Sequence, residues 1–494
     1  MKNNGNSKKI WFTISLILVI VTMGVSIFFY HNFFRQNNAQ LIEAVPPESS
    51  FILQINNNED FAKNTTQLIP YLNELLYMSA LPGFEFFIDH LNLKKTAVML
   101  SGYSNGENIF LLFSANTTVS QFSTLLKNLR IDHRNFIPFD KSKIYTYGTH
   151  FKKFYFSFNN NIVSISEDIE LLKKSIVQHK HPRNLLSDKM FSKFYNIVSK
   201  NEKQNWLIIH NFRFFKLKQN LFSDSYQHLC QSLSAIPDWS IFQIGFNDKE
   251  MILSGYMDYQ HVFSKNLHTD FTNETTSSPA HIVPFSSSFY SVLKQSISSQ
   301  FFLLKNEPES SFIIPDFEVD ELVKFQLNRD TVVYQFIAFK IDTTQNLNFF
   351  ISADSTQHNE FTTKKGDKIY LSSFHHLHTY STISMLNIRL NYFTVYQNYY
   401  IFANAMTDLD YFLQQIKQQN FAQQQSYQFA KFNLPSNSSY EFCVIIPDKG
   451  ANVTPHFLSK EWHDNTIRNL QVFAFSFAKS EKDLVPVSVY IKFR

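Results

Sequence analysis

The strongest candidate for metal chemistry in this sequence is the stretch FHHLHTY at 374–380. In an extended strand, His376 and His378 lie on one face, whereas His375 points to the other. Two imidazoles two residues apart can reach one ion, but a stable zinc site takes a third or fourth ligand. The alternative interpretation is a polar strand face in contact with solvent. His376 and His378 are therefore the candidate metal ligands, and we predict no cofactor.

Paired carboxylates are candidates for general acid and base catalysis. They occur as Glu59–Asp60 and as Glu167, Asp168 and Glu170. Acid–base work takes carboxylates held in differing environments across a cleft. These residues instead stand where helices are predicted to begin, and the helix macrodipole favours negative charge there. We therefore interpret them as helix-capping residues.

The stretch EWHD supplies Glu461, His463 and Asp464, a set that could orient a catalytic base. The sequence offers no Ser or Cys that can be placed beside them as a nucleophile. The chain contains only ten Gly and shows no Walker loop, dinucleotide fingerprint or G-x-S-x-G elbow. We therefore predict no catalytic residues.

The aromatic stretch FKKFYFSF at 151–158 raises a binding hypothesis. As a strand, it places Phe154, Phe156 and Phe158 on one face and Tyr155 on the other. Exposed rings of this kind could stack on sugars. The alternative is the core face of a half-buried strand, which the same alternation also predicts.

The elements that would position these residues occur twice along the chain. VPPESSF at 45–51 is matched by VPFSSSF at 283–289, and further matches follow in the same order. These matched pairs are 108–116 with 346–354, 143–150 with 368–375, 161–176 with 400–416, 206–211 with 443–448, and 241–259 with 472–490. We infer a tandem duplication, with repeat 1 at 36–258, a polar linker at 259–281 and repeat 2 at 282–494.

Each repeat is predicted to be α+β. The 54 Phe and 23 Tyr favour strands, and Asn105–Gly106 is typical of a hairpin turn. Apolar residues from Val119 to Leu129 follow helical periodicity, and Ser166 and Thr407 stand where N-caps are expected. Strands fall in adjacent groups, so we predict antiparallel sheets with helices packed on one face.

The first 35 residues predict a membrane anchor. Residues 10–30 carry no charge and are long enough, as a helix, to span a bilayer of about 30 Å. Lys2, Lys8 and Lys9 precede them, which places residues 1–9 in the cytoplasm. A cleaved signal peptide is the alternative, but the apolar stretch is long for one. The prediction is a single-pass protein of the inner (cytoplasmic) membrane, with its C-terminal bulk in the periplasm.

Charge and cysteine content limit the function classes. The chain has 45 Lys and Arg against 41 Asp and Glu; without Lys2, Lys8, Lys9 and Arg35 the balance is 41 to 41. A nucleic-acid partner is not expected, because such proteins carry a basic surplus. With two Cys, a zinc site built on thiolates is excluded, and a single disulfide remains the alternative to two free thiols.

The sequence resembles a group of uncharacterised envelope proteins of Bacteroidota. The resemblance rests on the N-terminal apolar segment, AVPPESSFILQIN, WSIFQIGFNDKEMILSGY and a second IVPFSSSF, and it extends over nearly the whole chain. It implies one membrane anchor and a duplicated domain of unknown function. No catalytic residue is implied by it.

These observations favour a non-enzymatic binding or scaffolding protein of the bacterial cell envelope, with an envelope protein as partner and the membrane contacted through 10–30. Two linked domains can combine weak contacts into strong binding. The alternatives are a hydrolase of an envelope polymer or peptide, with its site between the repeats, and a glycan- or lipid-binding module.

Overall fold

Antiparallel strands dominate the computed structural model of this chain. The described residues fall into two units. The first unit holds the described residues from 41 to 203 except Ser50–Ile52, and the second holds Ser50–Ile52 with those from 204 onward. The structure describes residues 41–56, 87, 91, 96–105, 108–148, 153–179, 185–199, 203–218, 239–247, 249–258, 279–298, 303–305, 318–329, 332–341, 350–351, 360–373, 377–379, 389–436, 438–446, 470–478 and 484–493.

The first unit is built on a sheet in which β4, β5, β6, β7, β3 and β2 lie side by side in that order, each antiparallel to the next. β1, whose first two residues are counted with the second unit, precedes them in the chain. The strands are β1 (Phe51–Ile55), β2 (Val98–Asn105), β3 (Asn108–Asn116), β4 (Ile137–Phe139), β5 (Ser142–Gly148), β6 (Lys153–Asn159) and β7 (Ile162–Ser166).

The helices of the first unit that the structure describes from end to end are α1 (Val119–Asn128), α2 (Ile169–Gln178) and α3 (Lys189–Ser199), with a 3-10 turn at Leu185–Ser187. α1 begins with a capping box between Thr118 and Gln121. Its buried residue Phe122 lies on the sheet, with its ring stacked 4.9 Å from that of Phe158. α2 covers the opposite face, where Leu172 packs in a cluster with Leu112 and other apolar side chains. Both sheet faces are thus buried by helices.

The second unit contains the longer sheet. Its strands lie in the order β8, β9, β10, β22, β21, β20, β11, β13, β14, β19, β18, β16 and β15, all antiparallel. A separate ladder joins β12 to β17. The strands are β8 (Asn205–His210), β9 (Trp239–Asn247), β10 (Glu250–Asp258), β11 (Ser287–Ser298), β12 (Leu303–Lys305), β13 (Glu318–Arg329), β14 (Val332–Lys340), β15 (Glu360–Thr362), β16 (Lys368–Leu371), β17 (Leu377–Thr379), β18 (Tyr392–Tyr396), β19 (Tyr399–Ala403), β20 (Ser438–Ile445), β21 (Leu470–Ala478) and β22 (Leu484–Phe493).

The main core of the second unit lies between this sheet and its helices. The helices are α4 (Asn211–Lys218), α5 (Met406–Ile416) and α6 (Gln425–Asn433), with 3-10 turns at Pro279–Ile282 and Phe421–Gln423. Phe325 and Phe336 stack across β13 and β14, and Phe412 of α5 packs on both rings. Tyr427 of α6 packs on Tyr290 of β11 in the same way. Aromatic side chains therefore supply much of the contact between helices and sheet.

β10 and β22 form a ladder of nine residue pairs, from Glu250 opposite Lys492 to Asp258 opposite Leu484. Gly255 lies in this ladder and also pairs with Phe242 of β9. A Cβ atom on Gly255 would lie 1.7 Å from the carbonyl oxygen of Ile241. The close approach of the two backbones therefore depends on glycine at this position.

The two parts of the chain share a strand order. β5, β6, β7, β3 and β2 of the first unit run in the same order as β16, β18, β19, β14 and β13 of the second. In this comparison β14, residues 332–340, takes the place of β3, whereas the sequence alignment matched 108–116 with 346–354, most of which lies outside the described residues. The duplication, with repeats at 36–258 and 282–494, stays a prediction. The compact units divide the chain differently, because 205–258 belongs with the second unit.

The predicted fold class, a transmembrane helix followed by two α+β repeats, is wrong. Antiparallel strands prevail, and the described helices are short, with 8 to 11 residues each. Such helices are about 12–17 Å long and cannot cross a hydrocarbon core of about 30 Å.

The predicted anchor is not supported either. No helix in the described part of the chain is long and apolar enough to span a membrane. The segment 10–30 itself lies outside that part. We therefore correct the prediction of a single-pass protein of the inner membrane, which rested on the hydropathy of one segment.

Replacing Gly255 by Ala is expected to lower the free energy of unfolding by about 3 kcal/mol, because the new methyl group overlaps backbone of β9. Gly245→Ala, in the same hairpin, is the matched control. Its Cβ would meet its nearest atom at 3.7 Å, so it should be neutral or stabilise by up to about 1 kcal/mol. Urea unfolding of both variants measures the difference, and equal effects would contradict the close-approach argument.

Candidate functional site

The histidine candidates are described only in part. β17 contains His378, which lies opposite Leu304 of β12. His376 and His375 lie outside the described residues. Within the described part of the chain, no three His, Cys, Asp or Glu side chains are grouped closely enough to hold a metal ion. Metal binding by His376 and His378 stays a prediction.

The carboxylates at the start of α2 cap the helix. Asp168 accepts hydrogen bonds from the backbone N–H groups of Glu170, at 2.6 Å, and Leu171, at 3.1 Å. Glu170 pairs with Lys173 at 2.7 Å. The capping interpretation is confirmed here, although the cap is Asp168 and not Ser166 as predicted. Residues 59–60 and 461–464 lie outside the described residues.

The aromatic stretch in β6 belongs to the core. Phe154 and Phe156 are buried, and both pack on Phe87. Tyr155 is half-buried on the opposite face, with the Lys153 ammonium 5.2 Å from its ring centroid. The core-face interpretation is confirmed, so the rings proposed to stack on sugars face the protein interior.

A row of polar side chains crosses the helix-covered face of the second-unit sheet. Lys294 of β11, Glu321 of β13, Lys340 of β14 and Tyr399 of β19 stand opposite one another on adjacent strands. Glu321, only 1% exposed, accepts from Lys340 at 2.9 Å and from the Tyr399 hydroxyl at 2.5 Å. Glu441 of β20, the strand on the other side of β11, pairs with Lys294 and is the fifth member of this set. We call these five residues the buried charge row.

Glu441 joins this row to helix α6. Its carboxylate, 2% exposed, lies 3.4 Å from the Lys294 ammonium and also accepts hydrogen bonds from Lys431 of α6 and from Ser438. Burial alone would raise the pKa of Glu441, but the two lysines and these hydrogen bonds hold it below its ordinary value. The carboxylate is therefore charged and fully engaged, so we assign it a structural role.

Lys324 is the most perturbed amine in the described structure. It lies on the other face of β13, opposite Ser291 and Ile337, and is 2% exposed. Burial lowers its pKa to about 7. An amine with such a pKa is a potential nucleophile, but no substrate can reach it at this exposure. We therefore interpret Lys324 as a buried structural residue.

Helix α6 exposes an aromatic and amide surface. Gln425, Gln428, Phe429 and Phe432 are all exposed and follow the spacing i, i+3, i+4 and i+7, so they share one side of the helix. Phe429 is 43% exposed and Phe432 is 87% exposed. We call these four residues the α6 outer face. Among the described residues, Phe432 is the most exposed large hydrophobic side chain.

The opposite side of α6 holds it on the sheet. Tyr427 packs on Phe421 at 5.0 Å and on Tyr290 at 5.7 Å between ring centroids, and Ala430 is fully buried. Lys431 reaches the buried carboxylate of Glu441. These contacts fix the helix in place, and with it the positions of the exposed rings.

The charges beside the α6 outer face are neutralised within the protein. The Lys492 ammonium lies 4.6 Å from the ring centroid of Phe429, and it also pairs with Glu250 at 3.2 Å. Gln428 donates to the carbonyl oxygen of Ala422 at 3.2 Å. The surface therefore combines apolar rings and amides without a charged side chain among its four residues.

The sequence analysis missed this surface. From sequence, the Gln-rich stretch from 414 to 428 is interpreted as a polar helix end and loop with no role beyond solubility, and neither Phe429 nor Phe432 is singled out. A signal was present, since Tyr427 and Ala430 repeat on one side of a helix while Gln425 and Gln428 repeat on the other. The two Phe lie on the polar side, where an unexplained aromatic residue is informative.

Glu441→Gln is expected to lower the free energy of unfolding by about 3 kcal/mol, because it leaves Lys294 and Lys431 without their carboxylate. The stabilisation by Glu441 is complete above its ordinary pKa of 4.5 and is lost as the pH falls through its lower folded-state pKa. The variant should therefore lose less stability than the wild type below pH 4.5, measured by urea unfolding.

The matched control is Glu360→Gln, which breaks the exposed pair with Lys368 at 2.8 Å. Its effect should stay below about 1 kcal/mol. An effect of Glu441→Gln as small as that of the control would show that the buried charge row does not anchor α6.

Lys324→Met is expected to raise the free energy of unfolding at pH 7 by about 1–4 kcal/mol, as when other buried charges are replaced by apolar groups. Between pH 7 and 10.5, Lys324 is mostly neutral in the folded protein and protonated in the unfolded chain. The unfolded chain therefore binds more protons, and the free energy of unfolding of the wild type should rise with pH in this window. The Lys324→Met variant should show a smaller rise in urea titrations at pH 7, 8 and 9.

Lys340→Met is the contrasting variant. It removes a partner of the buried Glu321 carboxylate, so it should lower the free energy of unfolding.

Comparisons with known proteins do not assign the chain to a family. No protein-family model and no curated protein matches it. One similar solved structure is described as crystal form I of TP0453, with 13% sequence identity. The match covers 46% of this chain and 80% of that one at a TM-score of 0.26, so it supports no inference about fold or function.

Proposed function

We propose that this protein is a non-enzymatic binding protein that contacts its partner through the α6 outer face. The observation that carries the proposal is Phe432, which is 87% exposed on a helix whose other side is firmly packed. Single exposed apolar residues are common. Two aromatic rings on adjacent turns, with amides beside them, are what a recognition surface provides.

The way in which α6 is held supports this function. Binding costs less when the contact residues are ordered beforehand. Tyr427 and Ala430 bury one side of the helix, and Lys431 ties it to Glu441. The exposed rings of Phe429 and Phe432 are therefore presented on a fixed backbone.

This proposal keeps the binding or scaffolding hypothesis from the sequence and gives it a surface. The hydrolase alternative placed its site between the repeats and relied on scattered His and carboxylates that folding could bring together. Of its test residues, His376 and His463 lie outside the described residues. No observation in the described part of the chain favours hydrolysis over binding.

The test is photo-crosslinking in the cells that produce the protein. A diazirine-bearing amino acid replaces Phe432, and ultraviolet light should yield an adduct of reduced gel mobility. The matched control places the same amino acid at Val332, which is 49% exposed on β14. The adduct should form at position 432 and not at 332, and Phe429→Ala should reduce its yield.

Equal adducts at both positions, or none at 432, would contradict the proposal. Phe432→Ala should change the free energy of unfolding by less than about 0.5 kcal/mol, because the ring makes little contact with the protein. A parallel urea titration of the Phe429→Ala variant separates a loss of the adduct from a loss of folding.

A further inference from the structure

We infer that the ligand of the α6 outer face is a neutral polysaccharide. This inference rests on the proposed binding function and adds the chemical class of the ligand. It is argued from the residue types on the face, from the pairing of the charges around it and from its dimensions.

The residue types match hydroxyl-rich, uncharged molecules. The Gln425 amide has both donor and acceptor atoms, and the Gln428 amide, which donates one hydrogen bond to Ala422, keeps its second N–H and its oxygen for hydroxyl groups. Phe432 offers a flat apolar face, and Phe429 offers the part of its ring that Lys492 leaves uncovered. The C–H faces of sugar rings are flat and apolar as well. Amides beside exposed rings can thus contact both the hydroxyl groups and the apolar C–H face of a sugar.

The surrounding charges argue against an ionic ligand. Lys431 is directed at the buried carboxylate of Glu441, and Lys492 pairs with Glu250. Among the four residues of the face, none is charged. An anionic lipid surface or an acidic polymer is recognised by basic side chains on the contact face, which this face does not supply.

The dimensions indicate an extended ligand. From Gln425 to Phe432 the helix rises about 10 Å. Phe429 and Phe432 are three residues apart, so their Cβ atoms lie about 5–6 Å from each other. The face is a row on a convex helix, which can contact successive units of a chain but cannot enclose a small molecule as a pocket does.

The experiment is affinity gel electrophoresis of the purified full-length protein. Native gels contain dextran, laminarin or galactomannan as neutral probes, and alginate as an acidic probe. At least one neutral polysaccharide should retard the protein, and alginate should not. Phe432→Ala should weaken the retardation about tenfold in apparent affinity, Gln425→Ala should weaken it as well, and Phe432→Trp should preserve it.

Val332→Ala is the matched control, since it shortens another exposed apolar side chain and should leave the retardation unchanged. The inference is overturned if no neutral polysaccharide retards the protein, if alginate does so equally, or if Phe432→Ala has no effect on the retardation.

The failure of this inference can be told apart from failure of the proposed function. A protein adduct at position 432 in cells, without retardation by any neutral polysaccharide, would reject the ligand class and keep the binding surface. An adduct that stains for carbohydrate would support both. Absence of the adduct and of retardation together would reject both.

Discussion

The β10–β22 ladder is the interaction on which the second unit depends. It pairs residues 250–258 with 484–492, more than 200 positions apart in the chain. Because β10 is held there, β8 and β9 join the same sheet, and Gly255 allows the close approach between β9 and β10. The ladder also brings Glu250 to Lys492, whose ammonium lies over the ring of Phe429. The surroundings of the α6 outer face are thus set by a contact between distant strands.

A second constraint fixes the helix layer to the sheet. Aromatic side chains pack between the helices and the sheet, but hydrophobic burial by itself is non-directional. The buried charge row adds direction, because burying the carboxylates of Glu321 and Glu441 is costly unless each one is paired with a lysine at short distance. Lys431 thereby links α6 to β20 at one point. The helix is held in one orientation, and its polar side with Phe429 and Phe432 is turned outward.

Particular elements show which structural features a local sequence pattern can predict. The helix at Val119–Asn128 and the hairpin around residue 106 were predictable, since capping, periodicity and turn residues act over a few positions. The N-cap at Ser166 was misplaced by two residues, because Ser166 instead donates to the carbonyl oxygen of Leu111. The sequence matched 346–354 with 108–116, whereas the strand order places β14 where β3 stands in the first unit, since similar letters do not reveal which strand pairs with which.

The sequence by itself determined the strand-rich character of this protein and the position of its best-formed helices, because propensity and periodicity are local properties. Only the tertiary structure decided which side of each element is buried. Phe154 and Phe432 both stand in amphipathic stretches, yet one lies in the core and the other in solvent. Exposure depends on what packs against an element, and those neighbours come from distant parts of the chain. For the same reason, the burial of Lys324 and Glu441 could not be predicted from sequence, and the periodicity within α6 indicated two sides without showing what covers one of them.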